Sequence, residues 1–302
     1  MPNKPRAEVD IDEPLVRRLA AGTRFGSATA RMPVRKAAEG WDCELWRMGD
    51  DLAVRLPRRA ASAPLIAHEA HALGELGPWL AAVDVRTPVP VHVGSPDAGF
   101  PWAWSIVPWI AGRAAIGLPR ADASAWAAAL AHALGVVHVA APADAPVNPF
   151  RGGALAARSD AFTERLNGLL RRGAVTPDVA AAVDDVWRHG LAANPWTQHP
   201  VWIHGDLHPG NILVDGGRLS GLIDFGDATG GDPAYDLAVA WLAFDAAGRS
   251  AFAEATQGRY DADTWMRAHA WAAAIALMLL AHSDDVPDHA AAGAAALREV
   301  LP

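Results

Sequence analysis

The 302-residue sequence holds one cysteine, Cys43, so it can form no internal disulfide and no multi-cysteine metal site. It has no basic excess either. Twenty-six Lys and Arg stand against 34 Asp and Glu, a formal net charge of -8, where a nucleic-acid partner would ask for a basic stripe. The longest apolar run, from Ala270 to Ala281, lies between His269 and His282 and falls short of the roughly 18–20 residues that span a bilayer. The opening, MPNKPRAEVDIDEP, carries charges where a secretory signal keeps an apolar stretch. No G-x-G-x-x-G occurs near the first strand-like segments. These absences predict a cytoplasmic globular protein with no nucleic-acid or membrane partner. The acidic balance is compatible with a cationic ligand.

What is present suffices for a sizeable core, since 51% of the residues are hydrophobic. After a loose polar arm, a short helix is expected over Glu13–Ala21. Strand-like segments follow at Ala28–Lys36, Cys43–Met48 and Asp51–Leu56, then a helix over Pro64–Leu80. Pro88–Gly94 and Trp102–Val107 read as two further strands around the turn Ser95-Pro96-Asp97-Ala98-Gly99. Beyond Gly112 the chain turns alanine-rich, with helices expected at Ser124–Ala140, capped by Ser124, and at Arg158–Arg172, Pro177–Gly190, Pro233–Phe244 and Asp263–His282. A strand-rich front and a helix-rich back imply two lobes with a hinge near residues 105–112.

Short strands interrupt the helices between Val201 and Ile223, around VWIHGDLHPGNILV. Asp206 and Asn211 are five positions apart across a loop, and Asp224-Phe225-Gly226 follows a hairpin-like segment. This is the D-x-x-x-x-N and D-F-G spacing by which kinases place a catalytic aspartate and two metal ligands. Hard oxygen donors suit Mg²⁺ bound together with phosphate oxygens. In that reading Asp206 orients or accepts the proton of a substrate hydroxyl, while Asn211 and Asp224 hold Mg²⁺ against nucleotide phosphates.

HGDLHPGN together with IDFGDATGGDPAYDLA resembles the aminoglycoside phosphotransferase family, whose loop reads H-G-D-x-x-x-x-N and whose later segment carries G-D-P-x-x-D-L. The resemblance implies an α+β, two-lobed protein-kinase-like fold. A small antiparallel-sheet N-lobe that binds nucleotide (residues 1–107) would precede a larger helical C-lobe for catalysis and substrate (108–302). It also implies ATP or GTP as phosphoryl donor, Mg²⁺ as cofactor, and a small hydroxyl-bearing acceptor, an aminoglycoside first. On the third strand Arg55 stands where the family carries a basic residue for the phosphates, with Glu69 as its helix-borne partner; arginine brings a planar fork in place of lysine's point charge. Trp104–Gly112 resembles the hinge, where the backbone of Ser105 and Val107 would meet the purine, and Glu39–Cys43 would cover the phosphates. His204, Asp232 and Asp236 would support the catalytic loop.

Several residues keep two readings. His208 faces either the substrate or its own loop, and Asp227 is either a substrate contact or a solvated loop residue. Arg55 with Glu69 is either the phosphate-positioning pair or a surface ion pair. Asp245, Glu254, Asp261 and Asp263 form either a platform for ammonium groups or a solvated helical face. A macrolide kinase, a metabolic hydroxyl kinase, a nucleotide-binding pseudoenzyme and a drug-sequestering protein are the rival functions.

Overall fold

Helix α1 (Glu13–Ala21) starts where Asp12 accepts the Leu15 N–H at 2.8 Å, and it buries Leu15, Val16 and Leu19. The computed structural model describes residues 4–97, 99–283 and 286–301. The first three residues of the expected arm and Ala98 of the expected turn lie outside the described residues. A single helical turn, α2 (Gly26–Thr29), replaces the start of the strand expected from Ala28. Pro33 offers no N–H to a ladder, and β1 (Val34–Glu39) begins just after it. β2 (Cys43–Met48) and β3 (Leu52–Pro57) follow as read, then α3 (Pro64–Ala82). β4 (His92–Gly94) is shorter than expected, since Pro88 and Pro90 deny the preceding stretch its donors, and β5 (Trp104–Pro108) closes the sheet.

The sheet order is β1-β2-β3-β5-β4, antiparallel throughout. Val54, Leu56, Trp46, Ile106 and Phe100 form a core beneath it with α1. A second, larger core takes Leu73, Leu76 and Leu80 of α3 and packs them with the elements that follow. Those are β6 (Arg113–Ala114), α4 (Ser124–Val137), α5 (Ser159–Arg171), α6 (Pro177–Ala192), the strands β7 (Val201–Ile203), β8 (Ile212–Asp215), β9 (Arg218–Leu222) and β10 (Thr229–Gly231), and then α7 (Ala234–Leu237), α8 (Val239–Ala243), α9 (Ala246–Ala255), α10 (Ala262–His282) and α11 (Pro287–Val300).

Ser124 does not cap α4. It lies inside the first turn and its Oγ reaches only the Ala121 carbonyl, at 3.5 Å. The helix expected over Pro233–Phe244 breaks at Ala238 into α7 and α8. α9 and α11 were not expected from the sequence. Asp245 and Asp261, read as part of an acidic group, are N-caps: they accept the N–H of Gly248 at 2.9 Å and of Thr264 at 2.8 Å. α10 is long and apolar enough to cross a membrane by length and composition, but it buries Ala270, Trp271, Ala273 and Ala276 in the larger core.

Candidate active site

The site begins where β7 ends. After Ile203 the chain turns through His204 and Gly205, with Gly205 at φ +80. A Cβ there would sit 2.3 Å from the Asp227 carbonyl oxygen, so both the conformation and the space require glycine. Asp236, fully buried in α7, receives the turn: its Oδ2 accepts the His204 N–H at 2.6 Å and its Oδ1 the Gly205 N–H at 3.1 Å. His138 Nε2 lies 3.2 Å from the same Oδ2, and its Nδ1 lies 2.6 Å from the Tyr260 hydroxyl. His204 sits against Phe225 with ring centroids 4.4 Å apart, and its Nε2 lies 2.9 Å from the Ile223 carbonyl. Its Nδ1 accepts the Asp206 N–H at 3.2 Å. The histidine is therefore a brace between the two motif segments.

Asp232, just ahead of α7, accepts the Ala234 N–H at 3.0 Å and takes Arg267 of α10 on both oxygens, at 2.7 and 3.2 Å. This two-pronged pair is buried and ties the loop to the long central helix.

Asn211 gives its side-chain N–H groups to the Asp206 carbonyl (2.8 Å) and carboxylate Oδ2 (3.3 Å). Its Oδ1 remains as a donor atom for a metal. The Ile223 N–H donates to the Asn211 carbonyl at 3.0 Å, so the paired strands β8 and β9 carry Asn211 and Asp224 to one end. Asp224 adopts φ +66, a left-handed conformation that Asp tolerates better than most side chains. Burial works against its charge, but Arg55 outweighs it and holds the carboxyl below its ordinary value. Among the described residues no group of three or more His, Cys, Asp or Glu could hold a metal by itself. A carboxylate and an amide oxygen fit Mg²⁺, which keeps waters and takes the rest of its shell from phosphates.

Arg55 joins the lobes. Its Nη1 lies 3.2 Å from Glu69 of α3 and its Nη2 2.5 Å from Asp224. With 12% and 1% of their side-chain surfaces exposed, Arg55 and Glu69 are no surface pair. Burial pulls against the guanidinium charge, and Asp224 and Glu69 more than restore it. Burial pushes Glu69 up to about 7 against the pull of Arg55. Its Oε1 accepts the Phe225 N–H at 3.1 Å, so the same carboxyl fixes the chain just after Asp224. Cys43 lies beside Arg55, and burial pushes its thiol up to about 12, which leaves it unreactive.

Ser105 and Val107 do not offer their backbone outward. β5 lies opposite β3 from Ser105 to Pro108, and the Trp109 N–H, of the same parity as Ser105 and Val107, bonds on that side to Asp51 at 2.7 Å. Ile106 points the other way, its carbonyl accepting the Val91 N–H at 2.8 Å. Backbone groups alternate along a strand, so the next ones on the side away from β3 belong to Pro108 and Ile110. The Glu39–Cys43 turn is held from below: Asp42 accepts from Arg59 Nη2 at 2.8 Å and Ser62 Oγ at 2.7 Å, and Arg58 donates to the carbonyls of Gly40 and Trp41, both at 3.3 Å.

His208 turns back into its own loop, its Nδ1 accepting the Gly210 N–H at 3.0 Å while its Nε2 stands 3.7 Å from Asp206 Oδ2. Burial lowers its pKa against the pull of Asp206. Its ring meets His289 of α11 edge-on at 5.4 Å, which brings the last helix to the loop that carries Asp206. Asp227 is no solvated loop residue. It accepts from Asn148 at 2.9 Å and from Arg151 at 2.9 and 3.0 Å, and Arg151 reaches Asp206 Oδ1 at 3.3 Å. Neither Asn148 nor Arg151 belongs to a recognisable motif, and the only local signal is the Arg-Gly-Gly turn after a proline-bearing loop. Asp263 accepts from Asn194 at 2.7 Å and Glu254 from Ser250 at 3.2 Å, so the acidic group is dispersed among helix ends and faces.

Known proteins resemble the chain in sequence and in fold. A homoserine kinase from Neisseria meningitidis is 55% identical over 38 residues; the match spans 13% of this chain and 12% of that kinase. Among solved structures, the GDP and kanamycin complex of APH(2'')-IIIa superposes with a TM-score of 0.63 at 17% identity, covering 89% of this chain and 92% of the other. The macrolide 2'-phosphotransferase MphH from Brachybacterium faecium, an apoenzyme, does so with a TM-score of 0.62 at 23% identity, covering 95% and 98%. At these identities the likeness establishes the two-lobed α+β kinase-like fold. The model of the phosphotransferase enzyme family matches residues 33–271, well over half of the sequence, and includes β1–β5 and both motif segments. On that match the chain belongs to the phosphotransferase enzyme family.

Proposed function

We propose that this protein transfers the γ-phosphoryl group of ATP or GTP, with Mg²⁺, to a hydroxyl of a small molecule. The supporting observation is the convergence of Asp206, Asn211 and Asp224 at the ends of β7, β8 and β9, opposite the Arg55–Glu69 pair. Phosphoryl transfer depends on alignment and charge neutralisation more than on a strong base. Asp206, anchored through Asn211, receives the acceptor hydroxyl and its proton. Arg55 orients Asp224 and the donor phosphates. When bound, Mg²⁺ neutralises phosphate charge, with Asn211 Oδ1 and the Asp224 carboxylate as its protein ligands. The purine lies against the Pro108 carbonyl and Ile110 N–H, in a nucleotide lobe formed by residues 1–107, and residues 108–302 supply the acceptor side. The enzyme works in the cytoplasm, where its donor is, without nucleic acid or membrane.

For the acceptor we favour an antibiotic, because the structural neighbours include a kanamycin complex and a macrolide phosphotransferase. An aminoglycoside remains first and a macrolide second. The dispersal of the acidic group removes the candidate platform for ammonium groups, and the overall acidic balance is what still favours a polycation. The homoserine kinase match keeps a metabolic hydroxyl kinase as a third reading.

The test is a nucleotide-consumption assay with Mg²⁺, run with ATP and GTP against aminoglycosides, macrolides and amino alcohols. Asp206→Asn is expected to lower turnover by about 10²–10⁴-fold with nucleotide affinity kept. Asp224→Ala is expected to abolish Mg²⁺-dependent nucleotide binding. Unchanged turnover in the first variant, or unchanged Mg²⁺ dependence in the second, overturns the assignment.

A further inference from the structure

Arg151 is the most heavily engaged side chain of the site and stands outside every motif. It follows the proline-bearing loop after α4, and the chain there is pinned. Gly152 takes φ +62, its carbonyl accepts the Asp232 N–H at 2.9 Å, and a Cβ on it would lie 2.4 Å from Ile203 Cδ1. The side chain, 19% exposed, sends Nε and Nη2 to Asp227 Oδ2 and Nη1 to the Tyr235 hydroxyl at 2.8 Å. Asn148 holds the other oxygen of Asp227. With three directions fixed, the remaining reach of Nη2 is toward Asp206 Oδ1. Asn211 takes the opposite oxygen, Oδ2.

We propose that Arg151 is a positioning residue for phosphoryl transfer, holding the Asp206 carboxylate by the oxygen that Asn211 leaves free so that it meets the acceptor hydroxyl in one orientation. This rests on the function proposed above. The guanidinium also lies between two carboxylates, Asp206 and Asp227, that would otherwise face each other with like charge. A lysine could supply the charge but not the planar fork that meets Asp227, Tyr235 and Asp206 at once. A misplacement of about 1 Å in such a group costs on the order of 10²-fold in rate.

The experiment measures kcat, the nucleotide KM and Tm for Arg151→Ala, Arg151→Lys and Tyr235→Phe. Substrates are Mg-ATP and Mg-GTP with kanamycin, with a macrolide, and with water as the sole acceptor. Arg151→Ala is expected to lower kcat about 10²-fold with the nucleotide KM within about twofold, and millimolar guanidinium is expected to recover part of the loss. Arg151→Lys should stay below about a tenth of wild type. Tyr235→Phe, which keeps the ring and frees Nη1, should lose about three- to tenfold. The proposal is overturned if Arg151→Ala turns over within about threefold of wild type, if Arg151→Lys is fully active, or if lost kcat tracks a lowered Tm and guanidinium restores nothing. If Arg151→Ala does not fold, the lysine and phenylalanine variants decide by the same criteria. A wild-type enzyme without Asp206-dependent turnover on these three acceptors and on the amino alcohols of the assay above overturns the underlying function and this proposal with it, so the wild-type measurement separates the two failures.

Discussion

Replacing Asp236 tests whether the catalytic loop is held by one buried carboxylate. In the folded protein that group is fully buried and accepts two backbone N–H groups, from His204 and Gly205, with His138 beside it. Asp236→Ala removes both acceptors and admits no substitute from the packed surroundings. Each orphaned buried donor costs about 1–3 kcal/mol, so the two together cost about 2–6 kcal/mol. Asp236→Asn keeps one oxygen for one N–H but turns an NH₂ toward the other, a donor facing a donor. Its cost should fall near half of the alanine value, about 1–3 kcal/mol. Urea unfolding of the three proteins gives these differences directly, provided m is unchanged. Because the released loop carries Asp206, kcat should fall in both variants by more than nucleotide affinity does. A loss below about 1 kcal/mol in Asp236→Ala, with turnover kept, would refute the reasoning, for it would mean that water reaches the loop amides.

Gly205→Ala places a side chain at φ +80 and 2.3 Å from the Asp227 carbonyl. The expected result is a loss of about 2 kcal/mol or more with turnover nearly abolished, and wild-type kcat in this variant would show that the turn relaxes freely. Glu69 gives a pH signature. Burial raises its carboxyl from 4.5 to about 7, so the folded chain holds a proton that the unfolded chain releases. Its contribution is complete below about 4.5 and is lost as the pH rises through about 7. Wild type should therefore lose stability against Glu69→Gln over that interval. Unfolding curves in urea at both ends of it provide the check, and a difference independent of pH would contradict it.

Much of the site was legible because its chemistry sits in short segments. The five-residue interval from Asp206 to Asn211 and the Asp224-Phe225-Gly226 turn are local patterns, and β2, β3, α1 and the start of α3 follow from alternation, periodicity and turn residues. The strands expected from Ala28 and Pro88 begin only at Val34 and His92, because proline's missing donor acts through a partner strand. Ser105 and Val107 lie in β5 as read, but which edge each faces is set by pairing with β3.

Sequence by itself determined the motifs, their order, the glycine at the loop turn and the charge balance, all of which depend on neighbours a few residues apart. Tertiary structure alone decided that Arg55 meets Asp224 across 169 residues and that Arg151 clamps Asp227 across 76 and Asp206 across 55. These contacts arise when the two cores pack and bring separate loops to one place. Spacing along a chain records local backbone geometry, but it does not record which distant side chain will arrive to satisfy a buried charge.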